Sequence, residues 1–131
     1  MPFTHAISKQ ERCVRLTATN PVDFPAIISG LSRVFADPDF DPRDLILIDL
    51  RQSVYEPSMI EVFSIGEILH GFRNKCLGGV TLVVNERILH MARLIGIIAS
   101  PPVNIQVVTS MPRAQTTQPV FQSRPVAVPK L

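Results

Sequence analysis

The sequence predicts an α/β domain with a four- or five-stranded, mostly parallel sheet flanked by helices, in two or three layers. Residues 45–49 and 80–84 are continuous apolar runs, and such runs are typical of strands buried on both faces of a parallel sheet. Each run is followed by a segment with helical periodicity, and Gly78 and Gly79 separate the first of these segments from the next strand. Strands that alternate with helices over short connections are typical of βαβ units.

A strand pair and a helix precede this unit. Residues 11–18 predict a first strand, and residues 4–8 predict its partner in a hairpin. Asp23 is predicted to cap the first helix, because an aspartate before a helix accepts a hydrogen bond from the first turn. The apolar residues of this helix recur at helical spacing: Phe24, Ile27, Ile28, Leu31, Val34 and Phe35. An acidic, proline-rich turn over residues 37–42 ends it, and the next strand is predicted over 44–50.

Two further helices and a last strand complete the predicted domain. The second helix is predicted over 58–74, the third over 87–99 with Asn85 as its cap, and the last strand over 104–109. The third helix has only three polar side chains, those of Arg87, His90 and Arg93. A helix that is apolar nearly all round is buried on more than its sheet side, so we expect a subunit interface or a ligand cavity to cover the rest.

Residues 1–112 are predicted to form one domain, since a chain of 131 residues is long enough for a single core. Residues 113–131 are rich in proline and are predicted to be extended or disordered. Val120, Phe121 and the apolar residues 126–128 are the candidates for docking within this tail.

Composition excludes several classes of protein. No apolar run reaches the roughly 20 residues needed to span a bilayer, and the first residues lack a basic start followed by an apolar core. We therefore expect no insertion into a membrane. The two cysteines could not form a dense disulfide framework, so a cytoplasmic location is also expected. All 11 acidic residues lie at or before Glu86, so the remaining residues carry five basic side chains and no acid. These basic residues are dispersed and lack interleaved aromatics, so no nucleic-acid binding is expected.

No catalytic or metal-binding constellation can be assembled from the sequence. Glu67 with His70, and Glu86 with His90, are spaced to share a helical face, but nothing supplies the further ligands that a metal needs. Cys76 has no histidine placed to activate it. We therefore expect a protein that is not an enzyme and that holds no cofactor.

Several segments resemble a family of small bacterial proteins with a sulfate-transporter and anti-sigma-factor-antagonist (STAS)-like domain, which is related to the CRAL-TRIO fold. The resemblance spans about Cys13 to Ser110 and is carried by residues 36–40, 47–51, 56–58, 80–84 and 91–93. It implies the fold described above and a dimeric interaction or regulatory module. Members of the family usually close with a helix that carries a Trp-Leu pair. This chain has no tryptophan, so the surface covered by that helix is expected to be open or covered by a neighbouring subunit.

The same resemblance implies a candidate site after the central strand. In anti-sigma-factor antagonists an aspartate ends a strand and a phosphorylatable serine or threonine begins the next helix, and Asp49 and Ser58 match that spacing. Pro57 stands where that pattern has an acid. Ligands of open α/β sheets bind beyond the carboxyl ends of the strands, so Arg51 and Tyr55 join Asp49 and Ser58 as a phospho-acceptor or partner-contact loop.

Each of these residues also has a local structural interpretation. Ser58 and Glu61 have the spacing of a capping box, in which each side chain bonds the backbone of the other. Arg51 is placed to form a surface ion pair with Asp49 or Glu56.

Two functions remain open at the level of sequence. The first is a non-enzymatic interaction module that works as a homodimer or with another protein partner. The second is a carrier or sensor of a small apolar or lipid-like ligand, which requires an internal cavity. Its expected lining residues lie on the second and third helices: Phe63, Leu69, Met91 and Ile95.

Overall fold

The computed structural model describes residues 3–19, 22–53 and 55–111. These residues form one five-stranded sheet and three α-helices, which confirms the predicted α/β class. The strands are β1 (Phe3–Ser8), β2 (Cys13–Ala18), β3 (Leu45–Asp49), β4 (Val80–Val83) and β5 (Ile105–Val108). The helices are α1 (Phe24–Ala36), α2 (Met59–Gly71) and α3 (Leu89–Ala99), with short 3₁₀ turns at Arg73–Lys75 and Glu86–Ile88.

The strands lie in the sheet in the order in which they occur along the chain. β1 is antiparallel to β2, and β2 to β5 are parallel to their neighbours. The register pairs Leu16 with Ile48 and Ile48 with Leu82. Because paired residues point to the same side of a sheet, these three share one face.

All three helices pack on that face. A right-handed crossover that advances one strand at a time returns every helix to the same side of the sheet. Side chains from all three helices accordingly surround Ile48 and Leu82: Ile27 and Leu31 of α1, Ile65 and Leu69 of α2, and Ala92 and Ile95 of α3. The described residues therefore form two layers, one of the two arrangements that the sequence left open.

The other side of the sheet, here called the second face, has its own buried residues. They are Cys13, Leu47, Asp49, Thr81 and Val83, which the register places on the side opposite to the helices. Met111 and Val108 pack against the apolar members of this group.

The predicted cap of α1 is confirmed, whereas the predicted cap of α3 is wrong. Asp23 accepts a hydrogen bond from the Ala26 backbone N–H at 3.0 Å. Asn85 precedes a 3₁₀ turn and makes no side-chain capping bond. Its side-chain Nδ2 donates instead to the Arg51 carbonyl at 3.2 Å, so a contact with a distant loop replaces the local one.

Gly78 lies where two chain segments approach closely. A Cβ atom on Gly78 would lie 2.2 Å from the Arg43 carbonyl oxygen and 2.4 Å from that of Asp44. Gly79 has a φ of +86°, a left-handed conformation that side chains disfavour. Gly78 and Gly79 therefore form the turn that the sequence predicts before β4.

Within the ranges that the structure covers, no helix combines the length and apolar character needed to cross a membrane. Residues 113–131, with the candidate docking residues Val120, Phe121 and 126–128, lie outside the described residues.

Candidate functional site

The loop that follows β3 begins with a closed ion pair between Asp49 and Arg51. The Asp49 carboxylate accepts two hydrogen bonds from the Arg51 guanidinium, at 2.9 Å from Nη2 and 3.0 Å from Nε. It accepts a third from the Arg51 backbone N–H at 3.1 Å. Of the two partners expected for Arg51 the structure selects Asp49, and Glu56 pairs instead with Arg87 at 3.2 Å.

This pair sets the protonation state of Asp49. Burial acts to raise the pKa of Asp49, but the hydrogen bonds from the Arg51 side chain and backbone outweigh it and lower the pKa below 3.8. Asp49 is therefore ionised at neutral pH, and its oxygens are occupied by Arg51. A carboxylate with a low pKa is a weak proton acceptor, so the pair stabilises the loop and is poorly suited to acid–base catalysis.

Tyr55 and Ser58 are joined through Glu61. Glu61 Oε1 accepts the Tyr55 hydroxyl at 2.8 Å and the Ser58 backbone N–H at 3.1 Å. The Glu61 backbone N–H donates to Ser58 Oγ at 3.2 Å, so the predicted capping box is confirmed. Burial and the bond to the Glu61 carboxylate both raise the pKa of the Tyr55 hydroxyl.

The four candidate residues thus occupy two separate places. Asp49 lies on the second face of the sheet with Arg51 against it. Tyr55 lies on the helix side, where it lines a cavity, and Ser58 is exposed at the start of α2. Within residues 3–19, 22–53 and 55–111, no hydrogen bond or ion pair joins Asp49 or Arg51 directly to Tyr55 or Ser58.

An apolar cavity lies between the sheet and the three helices. It has a volume of about 40 Å³, and its lining includes Tyr55 and Pro57 from the loop. Leu69 and Ile95 line it as expected. Phe63 does not, because its side chain points outward and is 55% exposed. Met91 is half-buried and packs against the core without lining the cavity.

The outer side of the helix layer carries exposed apolar side chains, here called the helix patch. Its members are Met59, Ile60 and Phe63 of α2, exposed by 49%, 78% and 55%, and Ile97 of α3, exposed by 68%. α2 and α3 are neighbours, and Gly66 allows their close approach because a Cβ there would lie 2.6 Å from Ile98. The apolar composition of the third helix indicated a subunit interface or a ligand cavity, but the sequence did not identify Ile60 and Ile97 as exposed residues.

Neither a metal nor a reactive thiol is indicated in the described part of the chain. No three side chains of His, Cys, Asp or Glu come together there in a group that could hold a metal ion. Cys76 is buried, and burial raises the pKa of its thiol to about 11. Its reactive thiolate form is therefore scarce at neutral pH.

Comparisons of the chain with protein-family models, with curated proteins and with solved structures found no match.

Proposed function

We propose that this chain is a non-enzymatic interaction module of the STAS-like kind, which forms a homodimer through the helix patch. The observation that supports the proposal most strongly is the exposure of Ile60 at 78% and Phe63 at 55% on consecutive turns of one helix. Contiguous apolar surface on a protein indicates an interaction site, because exposing it to water is unfavourable.

A second copy of the chain is the partner that the charges favour. In a two-fold dimer the same patch meets itself, so it must be complementary to itself. Glu67 on α2 and Arg93 on α3 are both exposed, carry opposite charges and form no ion pair with each other or with another described residue. In the dimer that we propose, a two-fold axis places α2 of one copy against α3 of the other, and Glu67 of each copy pairs with Arg93 of its partner.

Sedimentation equilibrium of the full chain tests the dimer. The double variant Ile60→Asp with Phe63→Asp should raise the dimer dissociation constant by about 30-fold or more, because it buries two charges in an apolar contact. Leu77→Asp is the matched control, since Leu77 is 65% exposed but lies in the turn before β4. A wild-type chain that remains monomeric at high concentration, or a control that dissociates equally, contradicts the proposal.

Charge reversal tests the orientation of the two copies. Glu67→Arg and Arg93→Glu should each weaken the dimer by up to about 30-fold, because a two-fold axis forms the pair twice and each exposed ion pair is worth up to about 1 kcal/mol. The two reversals combined in one chain should restore wild-type affinity, because the pair is then re-formed with its charges exchanged. Effects that simply add in the double variant would show that these two residues do not meet.

We further propose that Ser58, exposed beside Met59 and Ile60, is the position at which this contact is regulated. A phosphate on Ser58 would lie at the amino end of α2, where free N–H groups and the helix dipole favour an anion. It would add nearly two negative charges next to the patch and weaken an apolar contact. Mass spectrometry of the protein from its own host tests this role, and Ser64, also on α2, is the control position. A Ser58 that never carries phosphate there excludes the role.

The cavity favours a second candidate function, a carrier of a small apolar ligand. Its lining is apolar, and its volume of about 40 Å³ is more than the roughly 10–15 Å³ that one water needs. It is smaller than the roughly 150 Å³ of a cavity that holds benzene, so a ligand of a few carbon atoms is the class that fits.

Native mass spectrometry of the protein from its own host tests the carrier. A bound organic molecule should be present in the wild type, absent from Ala92→Leu, which fills the cavity, and retained by Ala36→Leu at the exposed end of α1. A wild-type chain with no added mass excludes this candidate.

A further inference from the structure

The second face of the sheet is buried although none of the three described helices lies on it. Leu47 and Val83 on this face are 0% exposed, and Cys13 is 3% exposed. A leucine on an uncovered sheet face keeps much of its side chain in water, since side chains stand upright from the sheet. The burial of these residues therefore does not come from the three described helices.

The exposed residues of the same face confine the burial to a narrow strip. Thr4 and Ala6 on β1, Arg15 on β2 and Gln106 on β5 belong to the second face by register and are all exposed. Burial is concentrated on β3 and β4, with Cys13 at the start of β2. Two neighbouring strands are about 10 Å wide, a width that a single segment of chain can cover and that a layer of several helices or a second copy would exceed.

The chain enters this strip at Met111. Met111 packs against the cluster formed by Cys13, Leu47 and Val83, and 20 residues, 112–131, follow it. Crossing from β5 to β2 takes three strand spacings, or about 14 Å, whereas 20 extended residues reach about 60 Å. Length therefore allows these residues to lie over the strip.

The composition of residues 112–131 suits such a cover. The segment contains four prolines and no acidic residue, and its apolar residues include the adjacent pair Val120 and Phe121. Proline favours an extended chain and lacks a backbone donor that would need a partner. We propose that residues 112–131 bind the second face of their own chain as an extended strip, with Val120 and Phe121 against Leu47 and Val83. This inference is independent of the dimer, because the helix patch lies on the opposite side of the sheet.

Thiol labelling of the full chain tests the proposal, since the two cysteines report on different sides of the sheet. In a Cys76→Ser background only Cys13 on the second face reacts, and in a Cys13→Ser background only Cys76 in the helix-side core reacts. The double change Val120→Asp with Phe121→Asp should raise the labelling rate of Cys13 about tenfold or more by exposing it locally. It should leave Cys76 unchanged.

The matched control is Gln122→Asp with Ser123→Asp, which adds the same charge beside the apolar pair and should leave Cys13 protected. An unchanged Cys13 rate in the apolar-pair variant overturns the proposal. If both cysteines become reactive together, the variant has lost its fold and a second experiment is needed. A photo-crosslinking phenylalanine analogue is then placed at position 121 of the otherwise unchanged chain, and the residues to which it crosslinks test the proposal. Crosslinks within one chain to residues 45–49 or 80–83 support the proposal. Crosslinks to the helices or between chains, or none, overturn it.

Discussion

Tyr55 donates its hydroxyl to Glu61 Oε1 at 2.8 Å, and this bond joins the loop after β3 to the first turn of α2. The same oxygen accepts the backbone N–H of Ser58 at 3.1 Å, so a single carboxylate closes the helix cap and orients the ring. That ring lines the apolar cavity. The Glu61 carboxylate therefore connects the cap of α2 to a residue that lines the cavity.

The ionisation of Tyr55 should be shifted to high pH. Burial disfavours the phenolate, and the neighbouring Glu61 carboxylate disfavours it further, so the pKa of Tyr55 lies above its ordinary 10.0. The chain has one tyrosine and no tryptophan, which allows phenolate absorbance to be assigned directly. Glu61→Gln should lower the titration midpoint only partly, since burial remains. A wild-type midpoint at the ordinary value would contradict the buried, bonded position of the ring.

Loss of the Ser58 side chain should lower stability modestly. Ser58→Ala removes the acceptor of the Glu61 backbone N–H and should reduce the free energy of unfolding by about 1 kcal/mol. Urea denaturation measures the change. Ser64→Ala, a replacement inside the same helix, should have little effect or be stabilising, because alanine has the higher helix propensity. Equal losses in the two variants would argue against the capping box.

Gly78 and Gly71 should respond in opposite ways to alanine. At Gly78 the added Cβ would lie 2.2 Å from a backbone oxygen, so we expect the free energy of unfolding to fall by more than about 1 kcal/mol. At Gly71, the last residue of α2, nothing lies within 4 Å of the new Cβ. That variant should be unchanged or gain up to about 0.5–1 kcal/mol. Similar values for both variants would contradict the close approach at Gly78.

The Asp49–Arg51 pair should contribute stability that depends on pH. The folded-state pKa of Asp49 is below 3.8, so its ionised form adds stability at pH values above the unfolded-state pKa. This contribution is lost as the pH falls through the lower folded-state pKa. Arg51→Gln should therefore reduce the free energy of unfolding at neutral pH and lose most of that effect in strong acid.

Denaturation in urea at a series of pH values measures this dependence. Arg43→Gln is the control, because Arg43 and Asp41 form an ion pair whose side chains are 70% and 41% exposed, and exposed pairs contribute little. A penalty for Arg51→Gln that is equal at neutral and acid pH would show that the arginine stabilises the loop by packing alone.

Local features of this protein could be predicted from the sequence because they depend on residues close together in the chain. The Asp23 cap involves a residue three positions away, and so does the capping box of Ser58 with Glu61. The apolar run over 45–49 predicted β3 because a strand buried on both faces must be apolar throughout. The candidate pairing of Asp49 with Arg51 spans two positions and was also among the expectations.

Tertiary structure decided what depends on distant residues. Asn85 has the residue type of a cap, yet its side chain bonds the Arg51 carbonyl 34 positions away, and no local pattern contains that information. Phe63 and Leu69 lie on the same apolar helix, but only the packing of α2 against the sheet and α3 turns the first outward and the second into the cavity. The sequence by itself determined the helices and strands through their apolar patterns, and it determined the caps of α1 and α2, which are hydrogen bonds within a few residues. The order of the strands depends on crossover connections that bring distant strands together. The placement of all three helices on one face follows from that order, so only the tertiary structure decided both.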